Sequence, residues 1–147
     1  MQVSKLGHAV IKVRDMERAE AFYHDVLGIE ISARHESMPM TFLTLGDHHN
    51  LALLAVGDEA PDADRNAPGL FHLAFRIGDT LDELRTARDE LEAAGVKVYA
   101  TIDHVVTKSL YLNDPDGNGV ELYVDGSDVW KTEPQAVAQG EPMELEL

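Results

Sequence analysis

Apolar residues along the chain follow two spacings, and the switches between them mark out the elements. Leu6 to Val13 reads LGHAVIKV, a strand with His8 near its start. From Asp15 the spacing changes. Ala19, Phe22, Tyr23, Val26 and Leu27 fall at i, i+3, i+4, i+7 and i+8, one apolar stripe of a helix, and Gly28 stands where a C-terminal cap belongs. Ile29 to Ala33, Thr41 to Leu45 and His49 to Val56 are predicted strands, the last two joined through Gly46-Asp47. Gly57 to Gly69, GDEAPDADRNAPG, is rich in Pro and Asp and reads as a linker between two halves.

The pattern then restarts. Phe71 to Ile77, FHLAFRI, is a strand with His72 near its start. Thr80 and Glu83 have capping-box spacing, Leu81, Leu84, Ala87, Leu91 and Ala94 form a helical stripe, and Gly95 is the cap. Strands follow over Val96 to Thr101, Lys108 to Leu112 and Val120 to Val124. His8-Ala-Val-Ile-Lys-Val-Arg-Asp15 matches His72-Leu-Ala-Phe-Arg-Ile-Gly-Asp79, and Gly28-Ile-Glu-Ile matches Gly95-Val-Lys-Val. This is an internal repeat of a βαβββ unit. If a pseudo-twofold axis relates the units, His8 and His72 take equivalent places and can face each other across a cleft.

The stretch SLYLNDPDGNGVELYVD, Ser109 to Asp125, has strand-forming runs on both sides of an Asp/Pro/Gly/Asn cluster, a hairpin closed by a polar turn. Two-residue alternation puts Val120, Leu122 and Val124 on one face and Glu121 and Tyr123 on the other. Glu121 is thus a carboxylate in the middle of an apolar strand. It is either a solvated group on an edge strand or one that points into a polar pocket and holds something. Past Gly126 the chain is acidic and weakly patterned and reads as a tail of low order, with Val129 and Trp130 as candidates for docking.

Composition narrows the partners. At 147 residues the chain has the size of one domain or two small modules sharing a core, and its hydrophobic fraction of 44% is ordinary for a globular protein. A net charge of −15 disfavours nucleic acid and anionic membrane surfaces. With no Cys there is no disulfide framework, thiolate ligand or thiol nucleophile. No apolar run approaches membrane-spanning length and Met1 opens no signal-peptide pattern, so a cytoplasmic protein is expected.

Taken singly, His8, His72 and Glu121 are each a polar residue in an apolar strand, more often structural than functional. Taken together they are the two imidazoles and one carboxylate of a facial metal triad. That set suits non-haem Fe(II), with Mn(II) as a near neighbour.

From Val3 to Asp125 the chain resembles the vicinal oxygen chelate superfamily, which includes glyoxalases, epimerases, antibiotic-resistance proteins and extradiol dioxygenases. The resemblance rests on LGHAVIKVRD, AFYHDVLG, FHLAFRI, LEAAGV and DPDGNGVELY. It implies an α+β fold of two βαβββ modules, residues 3–57 and 70–125, in one domain over 1–125. Residues 58–69 link them, 126–147 are an acidic tail, and the modules curl a mixed β-sheet around a metal site.

Among these families the chain is most similar to small type I extradiol dioxygenases. His48-His49-Asn-Leu-Ala-Leu resembles the stretch whose second His is their acid–base residue. His104 resembles a His bordering the substrate, and Tyr111 lies at their Tyr-to-carboxylate spacing from Glu121. Val10 and Ala52 resemble the surroundings of an oxygen pocket. The resemblance therefore implies metal on His8, His72 and Glu121, chemistry by His49, Tyr111 and His104, a catechol-type aromatic substrate with O2, and a homodimer. His48, His49 and His104 as ordinary loop histidines, and Tyr111 as a core tyrosine, stay open. Strict alternation also puts His49 and Ala52 on opposite faces, so that both line one site only with a bulge or strong twist. Glyoxalases and epimerases add a fourth ligand, which would fall at Ala52, and Ala binds no metal. Fosfomycin-modifying thiol transferases need a cationic cluster, and here only Lys108 is near. The alternatives are isomerase or transferase chemistry of the same superfamily, or a non-catalytic small-molecule binding protein.

Overall fold

In each βαβββ repeat the first strand pairs in parallel with the fourth, and this pairing decides which side chains share a face. The computed structural model describes residues Met1 to Leu145. The chain divides into two units, Met1–Ala63 and Asp64–Leu147, with the boundary inside the Pro/Asp-rich linker. The fold is mixed α+β, one sheet per unit, with few helices. Among the described residues no helix is long and apolar enough to cross a membrane.

The first unit runs β1 (Ala9–Val13), α1 (Met16–Glu20), β2 (Glu30–Arg34), β3 (Met40–Thr44) and β4 (Leu51–Ala55), in sheet order β1-β4-β3-β2. β1 and β4 are parallel, with Val10 opposite Ala52. A parallel pair cannot be closed by a tight turn, so a crossover must cover one face of the sheet. The Asp15 carboxylate caps the crossover helix by accepting the Arg18 N–H at 2.7 Å. The helix then loosens into a π-helical stretch over Ala21–Val26, and Gly28, at φ 72°, ends the segment in the left-handed region. Ala19, Phe22 and Tyr23 from this segment are buried, as are Ile11, Val13, Leu43, Leu51 and Leu53 from the sheet. The alternate positions of β1, Val10 and Lys12, stay exposed.

The second unit repeats the plan with β5 (Leu73–Gly78), α2 (Leu81–Ala93), β6 (Val98–Asp103), β7 (Thr107–Asn113) and β8 (Gly119–Asp125). Its order is β5-β8-β7-β6-β9, where β9 is the short strand Glu141–Pro142. β5 and β8 are parallel, with Ala74 opposite Glu121. Leu84 and Leu91 of α2 and Leu110, Leu112, Val120, Leu122 and Val124 of the sheet are buried. The predicted hairpin is β7–β8. Its turn is held by Asp114, whose Oδ1 accepts the N–H groups of Asp116 at 2.9 Å and Asn118 at 2.8 Å.

Three expectations change. The strand predicted from His49 begins at Leu51, so His49 lies in the turn before it, and its direction is not set by strand alternation. His8 and His72 likewise each stand one residue before their strand. The stretch past Gly126, expected to be of low order, forms 3-10 turns over Asp128–Lys131 and Pro134–Ala138 and then β9 on the edge of β6. Ala136 is its buried residue, while Trp130 is exposed.

The capping box of α2 is present in full: Thr80 Oγ1 accepts the Glu83 N–H and Glu83 Oε2 accepts the Thr80 N–H. Thr80→Ala is expected to lower the unfolding free energy by about 1 kcal/mol, read from urea denaturation; an unchanged midpoint and slope count against this account of the helix start.

Candidate metal and proton-transfer site

In the second unit the open face of the sheet gathers polar side chains that sequence order keeps apart. Tyr111 and Glu121 are directly opposed across β7 and β8, and Ala74 is opposite Glu121 from β5. That register brings His72 alongside Glu121, with Nε2 at 2.9 Å from Oε2. Ser109, two residues before Tyr111 and on the same face, donates its hydroxyl to Glu121 Oε1 at 2.6 Å. Glu121 and Ser109 are buried.

The approach of His72 depends on a missing side chain. A Cβ at Gly119 would lie 2.6 Å from the Phe71 carbonyl oxygen and 3.1 Å from His72 Cβ. Gly119 thus lets the β5 chain run close enough to β8 to set His72 beside Glu121.

Protonation is awkward at this pair. His72 Nδ1 is buried and has no hydrogen-bond partner. If Nε2–H donates to Glu121, Nδ1 is a buried acceptor without a donor. If Nδ1 carries the proton, the Nε2 lone pair faces a carboxylate. A cation between Nε2 and Oε2 removes that repulsion, because both lone pairs then point at positive charge. The spacing also suits it: two ligand atoms each about 2.1 Å from one ion and at right angles stand about 3.0 Å apart. The pair therefore fits two adjacent ligands of a divalent metal. Among the described residues no group of three or more His, Cys, Asp or Glu forms a metal-holding cluster.

Tyr111 and His104 form a second pair, with Tyr111 Oη 2.7 Å from His104 Nε2. Burial first, and then the charge of Glu121, push the Tyr111 hydroxyl up to about 12, so it is a proton-bearing group near neutrality. His104 sits in the β6–β7 turn. Val105, next to it, has φ 69°, a left-handed conformation that a β-branched residue rarely adopts. Asp103 holds this turn: its Oδ1 accepts the Val105 N–H at 2.8 Å and its Oδ2 accepts from Lys108 Nζ at 2.5 Å. The Lys108 hydrogen bond, followed by the Val105 N–H, keeps the Asp103 carboxyl below its ordinary value.

In the first unit, the His8 and His49 rings lie 4.2 Å apart, Phe42 meets His49 edge-on at 5.3 Å, and His48 Nδ1 is 2.7 Å from His49 Nδ1. A hydrogen bond between those two nitrogens needs one donor and one lone pair, so both rings cannot be cations. Burial first, and then His8 and His48, lower the pKa of His49, which keeps it a neutral imidazole near pH 7. Val10 is exposed and Ala52, opposite it, is fully buried. The repeat aligns His8 with His72 and hence Val10 with Ala74. In that register Ala52 occupies the place in the first unit that Glu121 holds in the second.

Two residues escaped the sequence reading. Ser109 and Gly119 looked like hairpin filler, although same-face alternation through Tyr111 and Glu121 would have marked both.

Residues 5–122 match the Glyoxalase/Bleomycin resistance protein/Dioxygenase superfamily, and the chain belongs to it. It is 36% identical over 126 residues to a biphenyl-2,3-diol 1,2-dioxygenase of Rhodococcus globerulus, an alignment covering 82% of this chain and 63% of that protein, so the chain spans less than two thirds of that relative's length. It is 31% identical over 134 residues to an ethylmalonyl-CoA/methylmalonyl-CoA epimerase of Cereibacter sphaeroides, covering 82% of this chain and 97% of the other. A glyoxylase/bleomycin resistance protein/dioxygenase domain from Frankia sp. EAN1pec shares the fold at a TM-score of 0.71 and 21% identity, over 84% of this chain and 99% of that one. Relatives with several activities thus share this sequence and fold.

Gly119→Ala is expected to weaken binding of Mn(II) at least about tenfold, by displacing His72, with little change in far-ultraviolet circular dichroism. Isothermal titration reads it, and wild-type affinity would remove Gly119 from the account. The Asp103 carboxyl, lowered in the folded chain, contributes stability that is present above the unfolded value and is lost as pH falls through the folded one. The Val105 amide resonance should therefore shift with a midpoint below the ordinary 3.8, and Asp103→Asn should abolish that shift.

Proposed function

We propose that the protein is an extradiol ring-cleaving dioxygenase that holds Fe(II), or Mn(II), on His8, His72 and Glu121 and acts on a catechol-type aromatic with O2. The observation that carries this reading is Ala52. It stands in the first unit where the repeat places a carboxylate in the second. A three-ligand set leaves positions for a bidentate substrate and a gas, whereas a four-ligand isomerase site would spend one of them. The dioxygenase named among the relatives points to the same chemistry, and the substrate it is named for contains two adjacent ring hydroxyls.

When bound, such an ion supplies Lewis acidity towards the ring hydroxyls and a path for electron density between ring and oxygen. The rest falls to side chains. His49, held neutral, takes a proton from a substrate hydroxyl and later returns it. Tyr111 Oη accepts a hydrogen bond from a substrate hydroxyl while its own hydrogen goes to His104, which stands behind it and steadies charge as it develops there. Ser109 restrains the Glu121 carboxylate, fixing which oxygen remains for the ion. Val10 and Ala52 provide the apolar walls of the oxygen pocket. The ring opens beside one hydroxyl, and both atoms of O2 end in the product. The reading includes a homodimer in the cytoplasm.

The test compares two variants. Glu121→Ala is expected to lose metal and activity together. His49→Ala should keep metal near the wild-type content and lose about 10²–10⁴-fold in turnover, the scale of a removed acid–base group. Metal analysis and oxygen uptake with a panel of catechols read both. A His49→Ala protein cleaving catechols at the full rate, or wild-type turnover of a hemithioacetal with none of any catechol, would overturn the proposal.

A further inference from the structure

We infer that the Gln139–Gly140 segment, beyond the second βαβββ module, is a positioning element that sets the tautomer of His104 and so commits the Tyr111 hydroxyl as a donor. His104 Nδ1 is 2.8 Å from the Gln139 carbonyl oxygen. A carbonyl oxygen carries no hydrogen, so Nδ1 must be the N–H. In a neutral imidazole the other nitrogen is then a lone pair. Nε2 therefore accepts, and the Tyr111 hydroxyl 2.7 Å away donates to it. The order of donation runs from Tyr111 to His104 to the Gln139 carbonyl.

The segment is built to reach this ring. A Cβ at Gly140 would stand 2.7 Å from His104 Nδ1, 3.0 Å from its Cε1 and 3.5 Å from Ile102 Cγ2. Only glycine lets the backbone pass so close. β9 pairs with the edge of β6, Ile102 opposite Pro142 and Asp103 opposite Glu141, and the Met143 N–H donates to the Thr101 carbonyl at 3.0 Å. Arg88 of α2 donates to the Leu145 carbonyl at 2.5 Å, and Ala136 is buried. His104 is thus gripped twice. Its backbone is fixed by the Asp103–Val105 turn, and its ring by a chain segment 35 residues further on.

The consequence lies in the direction of proton movement. Free neutral histidine in water favours the Nε2–H form. In that form His104 would present a donor to Tyr111 and force the hydroxyl to turn around. The Gln139 carbonyl selects the other form, so that His104 is a ready proton acceptor on the side facing Tyr111. The tautomer assignment stands on geometry alone, and only its effect on turnover rests on the dioxygenase reading.

The experiment is a long-range proton–nitrogen correlation spectrum of the metal-free, nitrogen-15-labelled full chain, with His104 assigned by its loss in His104→Gln. Wild type is expected to show the Nδ1–H form. Tyr111→Phe should keep it, because the carbonyl and not the hydroxyl selects the tautomer. Gly140→Ala should give the Nε2–H form or an average of the two, while the exposed change Val137→Ser should leave the spectrum of His104 as in wild type. An Nε2–H form in wild type, a switch in Tyr111→Phe, or an unchanged His104 in folded Gly140→Ala would each overturn the proposal. The first two decide it even if Gly140→Ala does not fold. With metal and a catechol, Gly140→Ala should keep its metal content and KM and lose about 10–100-fold in kcat, the scale of a displaced proton-transfer group. Absence of catechol turnover in wild type would sink the dioxygenase reading and leave the tautomer result standing.

Discussion

The parallel pairing of the first and fourth strands of each βαβββ repeat is the constraint on which everything else hangs. It forces a crossover, the crossover covers one face of each sheet with helix, and the face left open is where polar side chains collect. Its register, not any single contact, sets His72 beside Glu121, and the antiparallel β7–β8 pairing then puts Tyr111 and Ser109 on the same face. The contacts that follow are local: a hydroxyl on one carboxylate oxygen, an imidazole on the other, and a glycine that lets the strands approach. A register slip of one residue would send Glu121 into the apolar layer of Leu110, Leu112, Val120 and Leu122 and expose that layer in turn.

Much of this was legible in the sequence, for physical reasons. Apolar alternation and the Asp-Pro-Asp-Gly-Asn cluster announce the hairpin, because side chains along a strand have period two and the turn needs Asp114 and a left-handed Gly117. The helix starts at Asp15 and Thr80 are legible because orphan N–H groups need a nearby oxygen. His72 and Glu121, which the structure sets side by side, stood out as polar residues among apolar neighbours.

What was not legible depends on the backbone, or on residues distant in sequence. The π-helical stretch after Glu20 keeps the same apolar stripe as an α-helix, so side-chain spacing does not reveal it. His49 looked like part of a strand because LALLA follows it, yet strand pairing begins only at Leu51. The segment after Gly126 has no periodic apolar pattern. As far as Leu145 it is ordered by main-chain bonds to β6, by Arg88 and by the burial of Ala136, and main-chain bonds leave almost no mark on residue type. Gly140 is the trace they do leave, and only the position of His104 gives it meaning.

The asymmetry between Ala52 and Glu121 bears on how such a chain came to exist. A unit copied in tandem begins with identical halves, so at some point one half kept or gained an acid at this register and the other did not. Alanine and glutamate codons differ by a single base, which makes the two states neighbours in mutational terms. They are far apart in physical terms, since position 52 is fully covered and a carboxylate placed there costs free energy unless hydrogen-bond donors or positive charge meet it. Descent within such a lineage can therefore gain or lose an acid at this register in one genetic step, and whether the folded chain accepts it is decided by the partners that the covered position offers.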